Sequence, residues 1–186
     1  NTGLLPSSPK RWVMEAVDSY DLEPGDIVYI DTGHYYFETA TVVGDLDAGE
    51  ASQDGSVQVT FQGSTNVAYG GSLFVASDPE LTPFVISNTY GVRLRNLDIS
   101  GAANGVKVQG SVFIAGDWLS ARGGSNGVLA TASSNIVVQH SAFVGNYEAG
   151  VRFSHAGTLS IGSCVLWSNK YGLRLDQGRA SVQNSI

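Results

Sequence analysis

Four stretches decide the fold: Asn104-Gly105-Val106-Lys107-Val108, Asn126-Gly127-Val128-Leu129-Ala130, Ala149-Gly150-Val151-Arg152-Phe153 and Tyr171-Gly172-Leu173-Arg174-Leu175. In each, a glycine precedes an alternating apolar segment, and the glycines are spaced by 22, 23 and 22 residues. A second column runs in step with the first. Val92-Arg93-Leu94, Val112-Phe113-Ile114, Ile136-Val137-Val138, Leu159-Ser160-Ile161 and Ala180-Ser181-Val182 also alternate, and each precedes another apolar pair by about five residues. A period of this length, filled with about three short strands, means a stacked architecture in which no single unit buries its apolar side chains alone.

The helix-pair solenoids need about 33 residues or more per repeat, and a leucine-rich repeat needs a fixed asparagine and leucine ladder; neither pattern is present. The segments are rich in Val and Ile and are punctuated by Gly, Asn and Ser, which predicts strands and tight corners. On these residues the chain resembles the pectate-lyase-like β-helix superfamily over nearly its whole length. The opening carries the most specific likeness. From Trp12-Val13 through Pro24-Gly25-Asp26 to Gly33-His34-Tyr35 it is similar to many extracellular β-helix proteins, in which a cap helix precedes a Pro-Gly-Asp turn and a Gly-x-Tyr corner. The resemblance implies an all-β, right-handed parallel β-helix of about six or seven rungs.

Composition agrees with one domain. The chain has 186 residues, 42% hydrophobic and 15% charged, with 23 glycines and 5 prolines, a balance that suits many short strands joined by tight corners. We divide it into a lead-in and cap helix (1–24), irregular first rungs with side loops (25–89) and regular rungs of 22 to 23 residues (90–186). The chain opens without methionine at Asn1-Thr2-Gly3 and stops in mid-repeat at Asn184-Ser185-Ile186. The expectation is therefore a processed piece of a larger secreted or cell-surface protein, with further rungs or domains in the same polypeptide. No apolar run approaches the roughly 18 to 20 residues of a membrane span. A formal net charge of −7 argues against nucleic acid as partner, since phosphate binding needs a basic face. The single cysteine, Cys164, excludes an internal disulfide and is expected to be a buried, inert thiol.

Trp12, Val13, Ala16 and Val17 follow helical spacing and predict an N-terminal cap over the first rung, whose open edge would otherwise pair with other chains. Strands are expected at Ile27–Ile30, Thr39–Val43, Val57–Phe61 and Phe84–Ile86. The segment from Gly70-Gly71 to Pro83 is expected to project as a side loop, with Leu73, Phe74 and Val75 as a further strand. Asp45, Asp47, Glu50 and Asp54 form an acidic excursion. Calcium is one reading, but the spacing does not match an EF-hand loop, so a solvated loop is the favoured one and no metal site is assigned.

Alternation places Val106 and Val108, Val128 and Ala130, Val151 and Phe153, and Leu173 and Leu175 inward, and Lys107, Leu129, Arg152 and Arg174 outward. Rungs stack about 4.8 Å apart, so Arg152 and Arg174 are expected as neighbours. The candidate substrate-binding residues are Lys107, Tyr147, Glu148, Arg152, Tyr171, Arg174 and Asp176, with His155, Trp167 and Lys170 close by. The cations suit an acidic polysaccharide and the tyrosines suit stacking on sugar rings. The resemblance implies, for catalytic members, proton abstraction beside a uronate carboxylate by a basic Arg or Lys, often with calcium. No cluster of carboxylates on neighbouring rungs is evident here. Two readings stay open: a β-helix scaffold module with a carbohydrate-binding face, without cofactor; or a polysaccharide lyase, epimerase or glycosidase acting on uronate-containing polymers, whose catalytic residues stay unassigned.

Three other positions need a reading. Asp117 falls in the column of Leu97, Ser141 and Cys164, which predicts a local register shift that lets Trp118 take the core place. His140 falls in the corner column of Asn96, Gly116, Ser163 and Asn184 and is expected to hydrogen-bond corner backbone, since His34, His140 and His155 have no metal-binding spacing. Asn104 and Asn126 are expected as turn residues with positive φ.

Overall fold

The computed structural model describes residues 10–47, 58–66, 68 and 70–186. They form a helix, α1 (Val13–Ser19), and fourteen strands: β1 (Ile27–Ile30), β2 (Gly33–Phe37), β3 (Thr41–Val43), β4 (Val59–Gly63), β5 (Ser72–Ala76), β6 (Phe84–Ser87), β7 (Tyr90–Ser100), β8 (Asn104–Gln109), β9 (Val112–Arg122), β10 (Asn126–Thr131), β11 (Ser134–Gln139), β12 (Ala142–Val144), β13 (Ala149–Gly162) and β14 (Tyr171–Gln183). Every strand pairing is parallel, and the strands stack into a three-sided solenoid.

The first side carries β1, β4, the first halves of β7 and β9, β11, and the second halves of β13 and β14. The second carries β2, β5, the second halves of β7 and β9, and β12, and is continued by a single bridge from Ala142 to Val165. The third carries β3, β6, β8, β10 and the first halves of β13 and β14. About five turns thus have a strand on every side. The expected six or seven rungs include a sixth turn whose second side is only the bridge, and a seventh begun by the end of β14.

The glycine column has a steric cause. A Cβ on Gly105 would stand 2.5 Å from the carbonyl oxygen of Gly127, one on Gly127 would stand 2.4 Å from that of Gly150, and one on Gly150 would stand 2.8 Å from that of Gly172. Backbones of successive rungs touch here, and no side chain fits between them. The alternation after each glycine also holds. Val106, Val108, Val128, Ala130, Val151 and Phe153 are buried, and Lys107, Leu129, Arg152 and Arg174 align in register on the outside. Leu175 is 41% exposed, because no further strand among the described residues is stacked on β14.

Corners are made by residues in the left-handed region, repeated once per turn. Between the first and second sides stand Asn96, Trp118, His140, Ser163 and Asn184, with φ of 53°, 56°, 49°, 53° and 49°. Buried polar side chains close the ladder from one rung to the next. The hydroxyl of Ser141 accepts from the Leu119 N–H at 3.0 Å, that of Ser133 accepts from Ser111 N–H at 3.3 Å, and that of Ser111 accepts from Thr89 N–H at 3.2 Å. Corner N–H groups that lack a strand partner are satisfied in this way.

This corner column corrects the register read from sequence. Val92 lies opposite Ile114, and Ile114 opposite Ile136, so the strand aligned with the column is Ile114-Ala115-Gly116 rather than Val112-Phe113-Ile114. Trp118, not Gly116, is therefore the corner residue. The core place beside Leu97 goes to Leu119, while Trp118 is 55% exposed. Asn104 and Asn126 are not positive-φ turn residues. They begin β8 and β10 and form a ladder, in which Asn126 Nδ2 donates to Asn104 Oδ1 at 2.9 Å and Asn104 Nδ2 donates to Thr82 Oγ1 at 3.2 Å.

The early turns also differ in detail. Leu73-Phe74-Val75 lies within β5 in the wall of the solenoid, because Phe74 is buried against Tyr35 and Phe84, with ring centroids 5.1 and 5.0 Å away. Gly33-His34-Tyr35 is strand β2 rather than a corner, paired along its length with β5. The Pro24-Gly25 turn forms, with Gly25 at φ 98°. Helix α1 packs over β1 and β3, but its buried anchor is Val17, supported by Leu22; Trp12 is only half-buried at the helix start, where Arg11 covers its ring. The Glu15 carboxylate accepts from the N–H groups of Arg11 and Trp12, satisfying donors at the start of the helix. Val57 of the expected fourth strand, and Glu50 and Asp54 of the acidic excursion, lie outside the described residues.

The glycine contacts generate a comparison. Gly127→Ala must push a backbone carbonyl aside and should cost about 1 to 3 kcal/mol. Gly172→Ala meets only Leu166, at 3.4 Å, and should cost clearly less. Urea melts of the two variants check the order.

Candidate functional site

The third side gathers most of the candidate residues at its last two rungs. Arg152 lies opposite Arg174, and both point outward from β13 and β14. Asp176 is an extra residue at a register shift. Phe153 pairs with Leu175 but Ser154 pairs with Gln177, so the bulge sets Asp176 free of strand pairing. Its carboxylate accepts from both arginines, Arg152 Nε at 3.0 Å and Arg174 Nε at 2.9 Å. Arg174 Nη1 reaches on to Glu148 Oε2 at 2.8 Å, and Lys170 Nζ lies 3.6 Å from Glu148 Oε1. Arg174 and Lys170 also sit over the ring of Tyr171, at 5.8 and 5.6 Å from its centroid.

Glu148 and Lys170 belong to the turns that lead into β13 and β14, and the same two turns carry Tyr147 and Trp167. Those aromatics project into solvent: Tyr147 is 74% exposed, Trp167 65% and Tyr171 45%. Inside the turns Asn146 and Asn169 stack in register. Asn146 N–H donates to Asn169 Oδ1 at 2.9 Å, and Asn146 Oδ1 accepts from Gly124 N–H at 3.3 Å, which fixes the loop backbone beneath the aromatics.

Of the expected residues, the structure therefore joins Glu148, Arg152, Tyr171, Arg174 and Asp176 in one network and places Tyr147 on an adjoining turn. Lys107 stands apart, two rungs from Arg152 with Leu129 between. Among the described residues it has no ionic partner. Electrostatics follow from the contacts. The hydrogen bonds from Arg174 and then Arg152 hold the Asp176 carboxyl below the usual carboxylate range, and Asp176 and Glu148 together raise the affinity of Arg174 for its proton. The charges of the network are largely satisfied within it.

A second concave surface escaped the sequence reading. The outer face of the first side holds a groove of about 780 Å³, floored by Ala115, Val137, Ser160 and Ser181 from four consecutive rungs, with Arg93 and Arg179 toward its ends. Asp117 lines one edge and is bonded to His140 Nδ1 at 3.0 Å and to Arg95 at 3.4 Å. His140 thus bonds a side chain rather than corner backbone, and Trp118 stacks on its ring at 5.0 Å. The only sequence signal for this surface is the run of small outward residues, which becomes visible once the rungs are in register.

Elsewhere the chemistry is quiet. Cys164 is buried, its thiol donates to the carbonyls of Gly162 and Val138, and burial pushes its pKa up, as suits an inert thiol. Asp47 is buried rather than solvated, accepting from Gly44 N–H at 3.4 Å; burial, and then repulsion from Asp21 and Asp18, raises its pKa. Among the described residues no three His, Cys, Asp or Glu side chains converge as a metal site. No described helix is long and apolar enough to cross a membrane.

A parallel solenoid with glycine-gated rungs and a polar outer network defines a β-helix protein. The chain belongs to the family described as "Right handed beta helix region", which matches residues 29–186. Among solved structures it is similar to the Agl-KA catalytic domain, with 15% identity and a TM-score of 0.54, over 91% of this chain and 32% of that one. At that identity the likeness is one of fold alone, and the chain spans about a third of that protein. No curated protein sequence matches the chain.

Asp176 supplies a pH test. Its folded pKa is lowered, so its contribution to stability is present above the unfolded value and is lost as pH falls through the folded one. Thermal melts of wild type and Asp176→Asn should differ at neutral pH and converge in acid.

Proposed function

We propose that the chain is a β-helix scaffold module of a secreted or cell-surface protein and binds polysaccharide on the outer face of its last third-side rungs. The observation that carries this reading is the bridged cluster Arg152–Asp176–Arg174–Glu148 with three exposed aromatic side chains close to it in the chain, Tyr147, Trp167 and Tyr171. Exposed aromatics are costly to leave in water and are suited to covering the apolar face of a sugar ring. Guanidinium and carboxylate groups held by each other present fixed donors and acceptors to sugar hydroxyls, with little side-chain freedom left to lose on binding.

The same contacts weigh against proton abstraction. A general base must release its own proton near the working pH, whereas Arg174 holds its proton more firmly than an ordinary arginine. Asp176, held ionised by two arginines, is ill suited to act as a general acid. Two of the cations expected to meet an acidic polysaccharide, Arg152 and Arg174, are already engaged with carboxylates, which leaves Lys107 for a uronate group. The lyase, epimerase or glycosidase reading thus has less support than binding.

Replacing Trp167 or Tyr147 by Ala should weaken retention in glycan affinity electrophoresis by about tenfold while leaving the melt unchanged. Retention unaltered by either change would overturn the reading, and release of unsaturated uronate from pectate or alginate would establish the enzyme in its place.

A further inference from the structure

The bridge at the last two rungs of the third side has a form that the other surface ion pairs lack. Arg95 meets Asp117, and Arg122 meets Asp98, across the regular pairing of β7 with β9. Asp176 instead leaves the register at a bulge and receives two arginines, one on each carboxylate oxygen. Arg174 Nε donates to Oδ1 at 2.9 Å, and Arg152 Nε donates to Oδ2 at 3.0 Å. A bulge re-aims a side chain. Here it drops one carboxylate into a cleft between guanidinium groups on neighbouring rungs.

Half of that cleft is built without Asp176. Arg174 Nη1 donates to Glu148 Oε2 at 2.8 Å, and the same guanidinium lies 5.8 Å from the centroid of the Tyr171 ring. Arg152, by contrast, has no ionic partner other than Asp176 among the described residues. The side chains of Arg152, Arg174 and Asp176 are 32%, 35% and 31% exposed, so solvent reaches the cleft and rotation of the Asp176 side chain is enough to open it. Exposed bridges contribute little to stability, and opening this one costs correspondingly little. Two guanidinium groups left side by side then attract another anion.

We infer that Asp176 is the internal occupant of a carboxylate seat: it stands in for an acid group of the glycan and keeps the third-side site closed to acidic chains until it is displaced. The inference rests on the reading of this face as a polysaccharide site and adds the site's selectivity. A uronate group offers the same two oxygens at the same separation, so it replaces Asp176 bond for bond. The tethered carboxylate competes at an effective concentration on the order of millimolar or above. Acid groups therefore enter the wild-type site weakly, whereas neutral sugars have no such competitor.

The test compares wild type with Asp176→Asn, which keeps the size of the side chain and removes its charge, using polygalacturonate as acidic probe and dextran as neutral control. At low ionic strength Asp176→Asn should gain about tenfold in affinity for polygalacturonate, and the gain should vanish near 1 M salt, where the screening length is about 3 Å. Affinity for dextran should not change. Asp98→Asn removes the same charge from the second side and should gain nothing. Adding Arg152→Gln to Asp176→Asn should cancel the gain, with melts at neutral pH checking that each variant is folded. The inference is overturned if Asp176→Asn binds polygalacturonate no better than wild type, if Asp98→Asn gains as much, or if the gain survives Arg152→Gln. Trp167→Ala separates this inference from the reading on which it rests. Glycan retention lost in Trp167→Ala, with no gain in Asp176→Asn, sinks the seat and keeps the glycan face; a gain that needs Arg152 but ignores Trp167→Ala keeps the seat and sinks the aromatic contribution.

Discussion

The contact on which the structure depends is that of one rung's glycine with the carbonyl of the next. At Gly105, Gly127 and Gly150 the backbone of each turn passes so close to its successor that a methyl group would collide. That closeness ties the third side of each of these turns to the same height above its neighbour, so from β8 onward the chain travels nearly the same path length before it returns. A period of 22 or 23 residues follows. Within the period every other side chain is forced inward, and β7 to β13 fill the interior with Leu94, Ile114, Val138, Phe143, Phe153 and Ile161. Several of the polar side chains inside serve the corners, among them Ser111, Ser133, Ser141 and Asn146. An apolar core and a buried polar ladder coexist because the serine and asparagine ladder runs along the corners and strand ends, where strand pairing leaves N–H groups without partners.

Stacking in register also organises the surface charge. A residue on one rung has its counterpart on the next about 4.8 Å away, so a column of like charges would repel itself. The chain avoids this by setting opposite charges on adjacent rungs: Arg95 meets Asp117, and Arg122 meets Asp98. On the third side Arg152 and Arg174 are direct neighbours, and the bulge that delivers Asp176 between them relieves the repulsion. Ion pairs of this exposed kind are expected of any solenoid surface and contribute little to stability. The informative positions are those that depart from the rule, namely Lys107, Arg93 and Arg179, which lack such a partner among the described residues.

What was legible in the sequence follows from the same geometry. The glycine column sits where steric exclusion is absolute, so the third side was read in the correct register, with Lys107, Leu129, Arg152 and Arg174 aligned outward. On the first side the cue was apolar alternation, a weaker signal, and it failed where Gly116 replaces an apolar residue and Leu119 reaches back to fill the space beside it; a Cβ on Gly116 would lie 2.7 Å from Leu119 Cδ1. That slip of two residues misplaced Asp117 and Trp118, whereas His140 was read in its corner column and only its hydrogen-bond partner differs. The early turns were harder because their side chains are large and unrepeated. Tyr35, Phe74 and Phe84 pack as individuals, and a stack of aromatic rings leaves no period to detect.

The two outer faces show why a site is less legible than a fold. Alternation says which side chains point outward, and so the members of the third-side network could be named in advance. Whether they are free cations or partners of one another depends on the bulge at Asp176 and on reach between rungs, neither of which has a sequence pattern. The groove on the first side is a stronger case. It is made by what is missing from its floor, since Ala115, Val137, Ser160 and Ser181 are unremarkable one by one and become a channel only when stacked between Arg93 and Arg179. A solenoid converts residues one period apart into neighbours. Its functional surfaces are therefore written down columns, perpendicular to the direction in which the sequence is read.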